Sequence, residues 1–339
     1  MAVLVTGGAG YIGSHMVLRL CDAGEEVVVL DNLVTGFPWA IDERARFVEG
    51  NAGDMALVIR LIAEHGIREI IHFAGSIVVP ESVADPLKYY ANNTAASRNL
   101  IDAAVAGGVR HMVFSSTAAV YGMTGLEPVA EETPLAPMSP YGRSKLMTEW
   151  MLADVAAAHP FSYGALRYFN VAGADGRKRS GQSTPAATHL IKVACQVALG
   201  QRDHMNIMGT DYPTPDGTGV RDYIHVSDLV EAHALLLGYL RRGGTSTVLN
   251  CGYGQGYSVR QVIDMVRRVS GVDFEVVEGP RRQGDPASVV ARADKVRATL
   301  GWQPAHQNLE EIVRTAFDWE RYLMTRNSDV TATSGRRRG

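Results

Sequence analysis

The sequence predicts a doubly wound parallel α/β sheet (Rossmann type) with a smaller C-terminal α/β unit behind it, and three observations carry that prediction. Short, nearly continuous apolar runs alternate with helix-like stretches through the first half of the chain, the pattern of a parallel sheet covered on both faces. A glycine-rich turn joins the first run to the first helix-like stretch. At 339 residues, 46% hydrophobic and 20% charged, the chain has room for two structural units and lacks a disordered or coiled-coil composition.

The elements follow in order. Met1 to Val5 has no basic leader and runs straight into Thr6-Gly7-Gly8, so it reads as a buried strand and not a signal segment. Further strands are expected at Val27–Leu30, Ile70–Phe73, His111–Phe114 and Tyr163–Leu166. Helices are expected between them at Ile12–Ala23, Met55–His65, Tyr89–Ala106 and Tyr141–Ala158. Beyond Val171 the texture changes, because Gly173 to Pro185 is rich in Gly, Ser, Thr and basic residues. Residues 1–172 are therefore expected as a dinucleotide-binding domain that elements from 216–251 can join, and 173–324 as a substrate domain. Later helices are expected at Ala186–Leu199, Ser227–Leu240, Ser258–Val269 and Leu309–Leu323. Residues 325–339, polar and with Arg336, Arg337 and Arg338 near the end, read as a disordered tail.

Thirty-three Lys and Arg against 36 Asp and Glu leave a net charge of -3, no field to draw the chain onto nucleic acid or an anionic membrane. No apolar stretch approaches the ~18 residues of a membrane span. The three cysteines, Cys21, Cys195 and Cys251, are far apart and include no CxxC, so no disulfide framework or metal site is expected and a reducing cytoplasm suits the chain.

Gly7, Gly10 and Gly13 are spaced GxxGxxG between a strand and a helix. Absent side chains there let the backbone, including Tyr11 and Ile12, approach a pyrophosphate, and the helix N-terminus supplies unpaired N–H groups. The second strand ends in Asp31-Asn32. Asp31 lies 18 residues after Gly13, close to the ~20 expected of a carboxylate that accepts ribose hydroxyls and repels a 2′-phosphate. No Arg or Lys follows before Arg44, so the expected cofactor is NAD and not NADP.

Tyr141 and Lys145, at i and i+4 on one helix face after the start signal Ser139-Pro140, make the third motif. A phenol of pKa ~10 is a poor base at neutral pH, and a nearby ammonium and a positive nicotinamide ring both favour the phenolate. The strand ending at Phe114 leads into Ser115-Ser116-Thr117, hydroxyls at the carboxyl end of the sheet where open α/β folds bind ligands.

Together these motifs resemble the extended short-chain dehydrogenase/reductase family. Within it, HFAG (72–75), ESV (81–83), YYANN (89–93), SPYGRSK (139–145), RYFN (167–170), DGTGVRDYIHV (216–226) and RRQGDPA (281–287) are similar to the UDP-glucose 4-epimerases, over roughly residues 2–323. The resemblance implies transient oxidation at sugar C4 with tightly bound NAD and no metal. It makes Thr117 the partner of the sugar 4-hydroxyl, Tyr141 the acid/base, and Lys145 the residue that holds the nicotinamide ribose. Asn32, Ala52, Phe73, Ala74, Gly75, Asn92, Ser115 and Tyr168 are implied along the cofactor. Phe169 and Asn170 would meet the sugar, and Arg221, Tyr223, Arg282 and Asp285 the nucleotide, with the arginines on the diphosphate. Val289 would lie beside the sugar C2 substituent, where a large tyrosine otherwise excludes an N-acetyl group; the resemblance also implies a homodimer joined by the helices around 89–106 and 141–158.

The chain departs from the family pattern at three places. Asn51 stands where an aspartate usually reads adenine, Ile77 where a lysine often lies near the cofactor phosphates, and His189-Leu190 where an asparagine would face the nucleotide. A 4,6-dehydratase needs an acid/base pair directly after the strand-end threonine, and Ala118-Ala119 cannot supply it. A decarboxylase or a net dehydrogenase is compatible with the same motifs. An NAD-sensing binding protein on the same fold is a more distant reading, because it has no need of Thr117, Tyr141 and Lys145 together.

Overall fold

The computed structural model describes residues 2–184, 187–282 and 284–335. Its first half begins with β1 (Val3–Thr6), α1 (Tyr11–Asp22), β2 (Val27–Asp31), β3 (Arg46–Glu49), α2 (Met55–His65) and β4 (Glu69–His72). Two short helices follow, α3 (Val79–Ala84) and α4 (Pro86–Tyr89), then a π-helical stretch, Tyr90–Ala95, that runs into α5 (Ala96–Ala106). This half closes with β5 (His111–Ser115), α6 (Pro140–Ala158), β6 (Ser162–Tyr168) and β7 (Asn170–Ala172). The second half contributes α7 (Leu190–Ala198), β8 (Met205–Met208), β9 (Val220–His225), α8 (Val226–Arg241), β10 (Thr247–Cys251) and β11 (Gly256–Ser258). It ends with α9 (Val259–Ser270), β12 (Val276–Gly279), β13 (Ser288–Val289), α10 (Asp294–Leu300) and α11 (Leu309–Gly335).

Seven strands form one wholly parallel sheet in the order β10-β6-β5-β4-β1-β2-β3. The inner strands are apolar because both faces are covered. Val3, Val5, Val29, Ile71 and Val113 pack toward α1 and α8, and Leu4, Leu30, Ile70, Met112 and Phe114 toward α2, α5 and α6. Each such side chain removed from water contributes roughly 1.5–3 kcal/mol. A second, mixed sheet is built on β9, which pairs antiparallel with β11 and parallel with β13 and β7; β8 and β12 form a separate parallel pair.

The helix starts follow their sequence signals. Ser139 caps α6 by accepting from Gly142 N at 3.1 Å with Pro140 in the first turn, and Ser258 and Gln261 form a reciprocal capping box on α9. Some expectations change. β3 is an additional strand, and the helix expected over 89–106 is interrupted by π geometry at Asn92 and Asn93. The helix expected from Ala186 begins at Leu190, with Ala186 itself outside the described residues. The last helix does not stop at Leu323. It continues to Gly335 through the segment expected to be disordered, and Arg326 lies over the Trp39 ring at 4.2 Å, an apolar surface that rewards the extra turn. Residues 336–339, with the three arginines, lie outside the described residues.

Candidate active site

Gly7 adopts φ 72°, and a Cβ there would sit 2.6 Å from Ala74 N; a Cβ on Gly13 would sit 2.0 Å from Gly7 O. The loop is thus folded tightly enough that only hydrogen fits at either position. Gly10 begins α1 with no side-chain cap, so the first N–H groups of the helix, at Tyr11 and Ile12, face outward as an anion cradle. The Tyr11 phenol donates to Gly173 O at 2.6 Å, which ties the cradle to the second unit.

Asp31 is buried at the end of β2 and accepts from Ala9 N at 2.9 Å and Leu33 N at 2.8 Å; Leu33 takes a left-handed φ of 59° to make that bond. Each carboxylate oxygen keeps a lone pair for a ribose hydroxyl. Asn32 accepts from Val34 N, and Asn51 Oδ1 is drawn into its own turn, accepting from Gly53 N at 2.8 Å. Asn51 and the buried Ala52 stay beside Asp31 because Gly50 N donates to Asp31 O. The chain crosses this end as a loop held by Phe37 N to Ala9 O. Its Phe37 and Trp39 rings, 5.2 Å apart, meet Trp319 of α11 at 6.1 Å from Trp39. These features together fit a dinucleotide with free ribose hydroxyls.

At the other end, Phe73-Ala74-Gly75 leave β4 alongside the glycine loop, and a Cβ on Gly75 would lie 3.0 Å from Asn93 Oδ1 and 3.9 Å from Lys145 Nζ. Asn92 donates to Ser76 Oγ, and the buried Asn93 accepts from Ser76 N at 2.7 Å while donating to Ser76 O and Ser144 Oγ. The π stretch places the two amides so; such stretches recur at functional sites. Sequence reading misses Asn93, which ties the loop after β4 to α6.

Thr117, Tyr141 and Lys145 come together, all buried. Thr117 is hydrogen-bonded to the Tyr141 phenol and accepts from Ala119 N at 3.1 Å. Lys145 Nζ donates to Ser115 O at 2.8 Å and lies 4.8 Å over the Phe114 ring. Burial lowers the Lys145 pKa to about 8, against the opposing pull of Glu149. The Tyr141 pKa differs from expectation: burial raises it, and only the Thr117 hydrogen bond pulls it down. Lys145 does not supply the expected lowering, because burial brings its own pKa to about 8 and it has lost its proton at the higher pH where the buried phenol ionises. The Ser115 hydroxyl is itself bonded to the Tyr168 phenol, whose pKa burial also raises.

The expected sugar and nucleotide residues form two groups. Phe169 and Val289 pack on a small cluster with Ala118, Tyr121 and Leu146, close to Thr117. Asn170, His189, Leu190 and Tyr223 line one cavity with Tyr11; Asn170 pairs with Tyr223 between β7 and β9 and donates to Asp222 O at 3.4 Å. Arg221 and Asp285, both expected at the nucleotide, are ion-paired to each other, and Arg221 also donates to Val220 O. Arg282 is exposed, and its neighbour Gln283 lies outside the described residues. Among the described residues no His/Cys/Asp/Glu group could hold a metal ion, and no helix is long and apolar enough to cross a membrane.

Residues 3–252 match the NAD dependent epimerase/dehydratase family. The chain is 55% identical to a UDP-glucose 4-epimerase of Azospirillum brasilense over 95% of its own length and 92% of the relative's. It superimposes on a UDP-glucose-4-epimerase from Stenotrophomonas maltophila, solved with bound NAD and formylated UDP-arabinopyranose, with a TM-score of 0.93 at 39% identity, covering 96% and 99% of the two chains. A UDP-Glc/GlcNAc 4-epimerase from Campylobacter jejuni matches with a TM-score of 0.84 at 47% identity, covering 95% and 99%.

Proposed function

Because the chain belongs to the NAD dependent epimerase/dehydratase family, we propose that it interconverts UDP-glucose and UDP-galactose by transient oxidation at sugar C4, with NAD held throughout. The observation that carries this reading is the buried Thr117–Tyr141–Lys145 group beside the glycine cradle, followed by Ala118-Ala119, which cannot serve a dehydratase. Tyr141 takes the proton of the 4-hydroxyl, while Thr117 hydrogen-bonds the phenol and the sugar oxygen. When bound, NAD would supply the hydride acceptor and donor for C4 and a positive charge that favours the Tyr141 phenolate. Tyr141 then gives its proton back to the 4-oxygen of the sugar after it has turned over. Arg221, Tyr223 and Asp285 keep the nucleotide in place while the sugar rotates, and the second unit excludes water from the intermediate. The purified chain should convert UDP-galactose with no added NAD and release NAD on acid treatment. Dependence on exchanging NAD, or release of NADP, would refute the reading.

N-acetylated UDP-hexoses are substrates too in this reading. Val289 is small, half-buried and packed with Phe169 near Thr117, which leaves room for an acetamido group and an apolar wall for its methyl. A related chain is named a UDP-Glc/GlcNAc 4-epimerase. Val289→Tyr should abolish turnover of UDP-N-acetylglucosamine while leaving UDP-galactose within a few-fold of wild type, on the order of the discrimination a filled apolar pocket provides. Equal loss of both would place the selectivity elsewhere.

The same reading makes the protein a cytoplasmic homodimer. Cys21, Cys195 and Cys251 are free and buried, as suits a reducing compartment. On α6, Trp150 is 56% exposed, an aromatic face for pairing with a second copy through α5 and α6. Sedimentation at the mass of two chains, shifting to one on Trp150→Glu, checks the dimer.

A further inference from the structure

Behind the candidate site lies a buried polar group that the proposed reaction does not use. Glu149 follows Tyr141 and Lys145 at the same four-residue interval on α6, so its carboxylate lies on their helix face. It is 4% exposed and accepts from Arg167 three times, from Nε at 3.0 and 3.2 Å and from Nη2 at 2.6 Å. Ser116 Oγ also donates to it. Ser116 adjoins Thr117 at the end of β5, and Arg167 adjoins Tyr168 at the end of β6. One carboxylate therefore joins the three segments that carry Thr117, Lys145 and Tyr168. Arg167 Nη1 continues to the Tyr121 hydroxyl at 3.0 Å, and that hydroxyl to Asn250 Oδ1 at 2.6 Å, so the Glu149 side chain has little freedom to swing away.

We propose that Glu149 is a positioning residue for the reaction, fixing the mutual placement of Thr117, Lys145 and Tyr168 through Ser116 and Arg167 and holding the Lys145 side chain in its ammonium form. This rests on the reading that Tyr141 and Lys145 serve the epimerisation. The groups around Lys145 are Glu149 and Tyr141, one turn to either side on its own helix face of α6, His72 from β4, and the Ser115 carbonyl and Phe114 ring from β5. His72 is neutral, its pKa lowered by burial to about 3 between the Thr6 and Ser97 hydroxyls, so Glu149 supplies the opposing charge. With Lys145 near pKa 8, loss of that charge matters in the neutral range.

The chain has only five lysines, Lys88, Lys145, Lys178, Lys192 and Lys295, so protein labelled with 13C at the lysine ε-carbons gives a readable titration. Lys145→Met identifies the Lys145 signal and serves as the reference for activity. In Glu149→Gln the Lys145 midpoint should fall by about one pH unit, the lower end of what an adjacent opposite charge contributes. The kcat for UDP-galactose should fall about fivefold more at pH 8 than at pH 6, with KM within about twofold, because a midpoint moved from about 8 to about 7 takes the protonated fraction at pH 8 from about one half to about one tenth and leaves it above about nine tenths at pH 6. Should Glu149→Gln fail to fold, Glu149→Asp, which draws the carboxylate back by one methylene, is put through the same two measurements and should lower the Lys145 midpoint by a smaller step with the same pH dependence of kcat. An unchanged Lys145 midpoint, or a kcat loss equal at both pH values, overturns the proposal. If Lys145→Met keeps full activity, the underlying site reading fails instead.

Discussion

Tyr141→Phe is expected to give a folded protein that retains NAD and UDP-sugar and epimerises about 100-fold or more slowly, the scale of a lost general acid/base. The substitution removes one oxygen from a buried ring. The phenyl ring keeps its edge-on contact with Tyr89, whose centroid is 6.5 Å away, so packing is preserved. The lost hydrogen bond to Thr117 costs only about 1 kcal/mol of stability. Rate and stability should therefore separate widely, and that separation is the diagnostic. Thr117→Ala should be milder, because Tyr141 keeps its hydroxyl as proton carrier and the losses are one hydrogen bond to the phenol and one to the sugar oxygen. Stopped assays of UDP-galactose conversion alongside thermal unfolding measure both quantities; turnover near wild type in Tyr141→Phe would remove the tyrosine from the proton path.

The second large effect is expected at Gly13. A methyl there would sit 2.0 Å from Gly7 O and 2.8 Å from Gly7 C, backbone atoms that cannot rotate aside. Gly13→Ala must push α1 off the glycine loop, which opens the cradle at Tyr11 and Ile12 and strains the β1–α1 junction. Overpacking of this kind costs typically 1–3 kcal/mol. The purified variant should lose most of its bound NAD, with activity returning in part when NAD is added in excess. Gly176→Ala, where a Cβ meets nothing within 4 Å, is the matched control and should change neither quantity. NAD content by acid release and unfolding temperature test the pair. Full NAD occupancy in Gly13→Ala would mean that the cradle does not depend on this close approach.

The parts of this molecule that are legible in the sequence are those whose physics is local. The inner strands announce themselves as apolar runs because both faces are buried, and the glycine loop and the Tyr141/Lys145 pair are short-range patterns. β3 escapes sequence reading because it is the sheet edge: only Phe47 and Val48 of Arg46–Glu49 are apolar, and neither is fully buried. The π geometry at Asn92 and Asn93 has no periodic signature within an otherwise helical run. The Glu149–Arg167 pair joins residues 18 apart whose contact exists only once α6 lies on β6. Arg221 and Asp285 are each visible as motif residues, but their mutual pairing spans 64 positions and is a property of β9 packing beside β13. The Tyr141 pKa departs from its sequence expectation for a related reason, since burial, which helical spacing does not show, raises the phenol and lowers Lys145 together.

The position of β10 at the end of the large sheet has a consequence for how the chain is made. All six pairings in that sheet are parallel, so none arises from a hairpin, and the last joins Thr247–Cys251 to Gly164–Tyr168 across some eighty intervening residues. While the ribosome is adding that stretch, β6 has emerged with one row of backbone N–H and C=O groups unpaired, and α8, which covers β5 and β6, does not yet exist. Even after α8 appears, its Asp228 awaits Tyr253, Trp302, Ala305 and His306 to fill its bonds. The nascent chain thus carries an open, apolar sheet edge until synthesis is nearly complete. A product truncated before Thr247 would inherit that edge permanently and would aggregate through it.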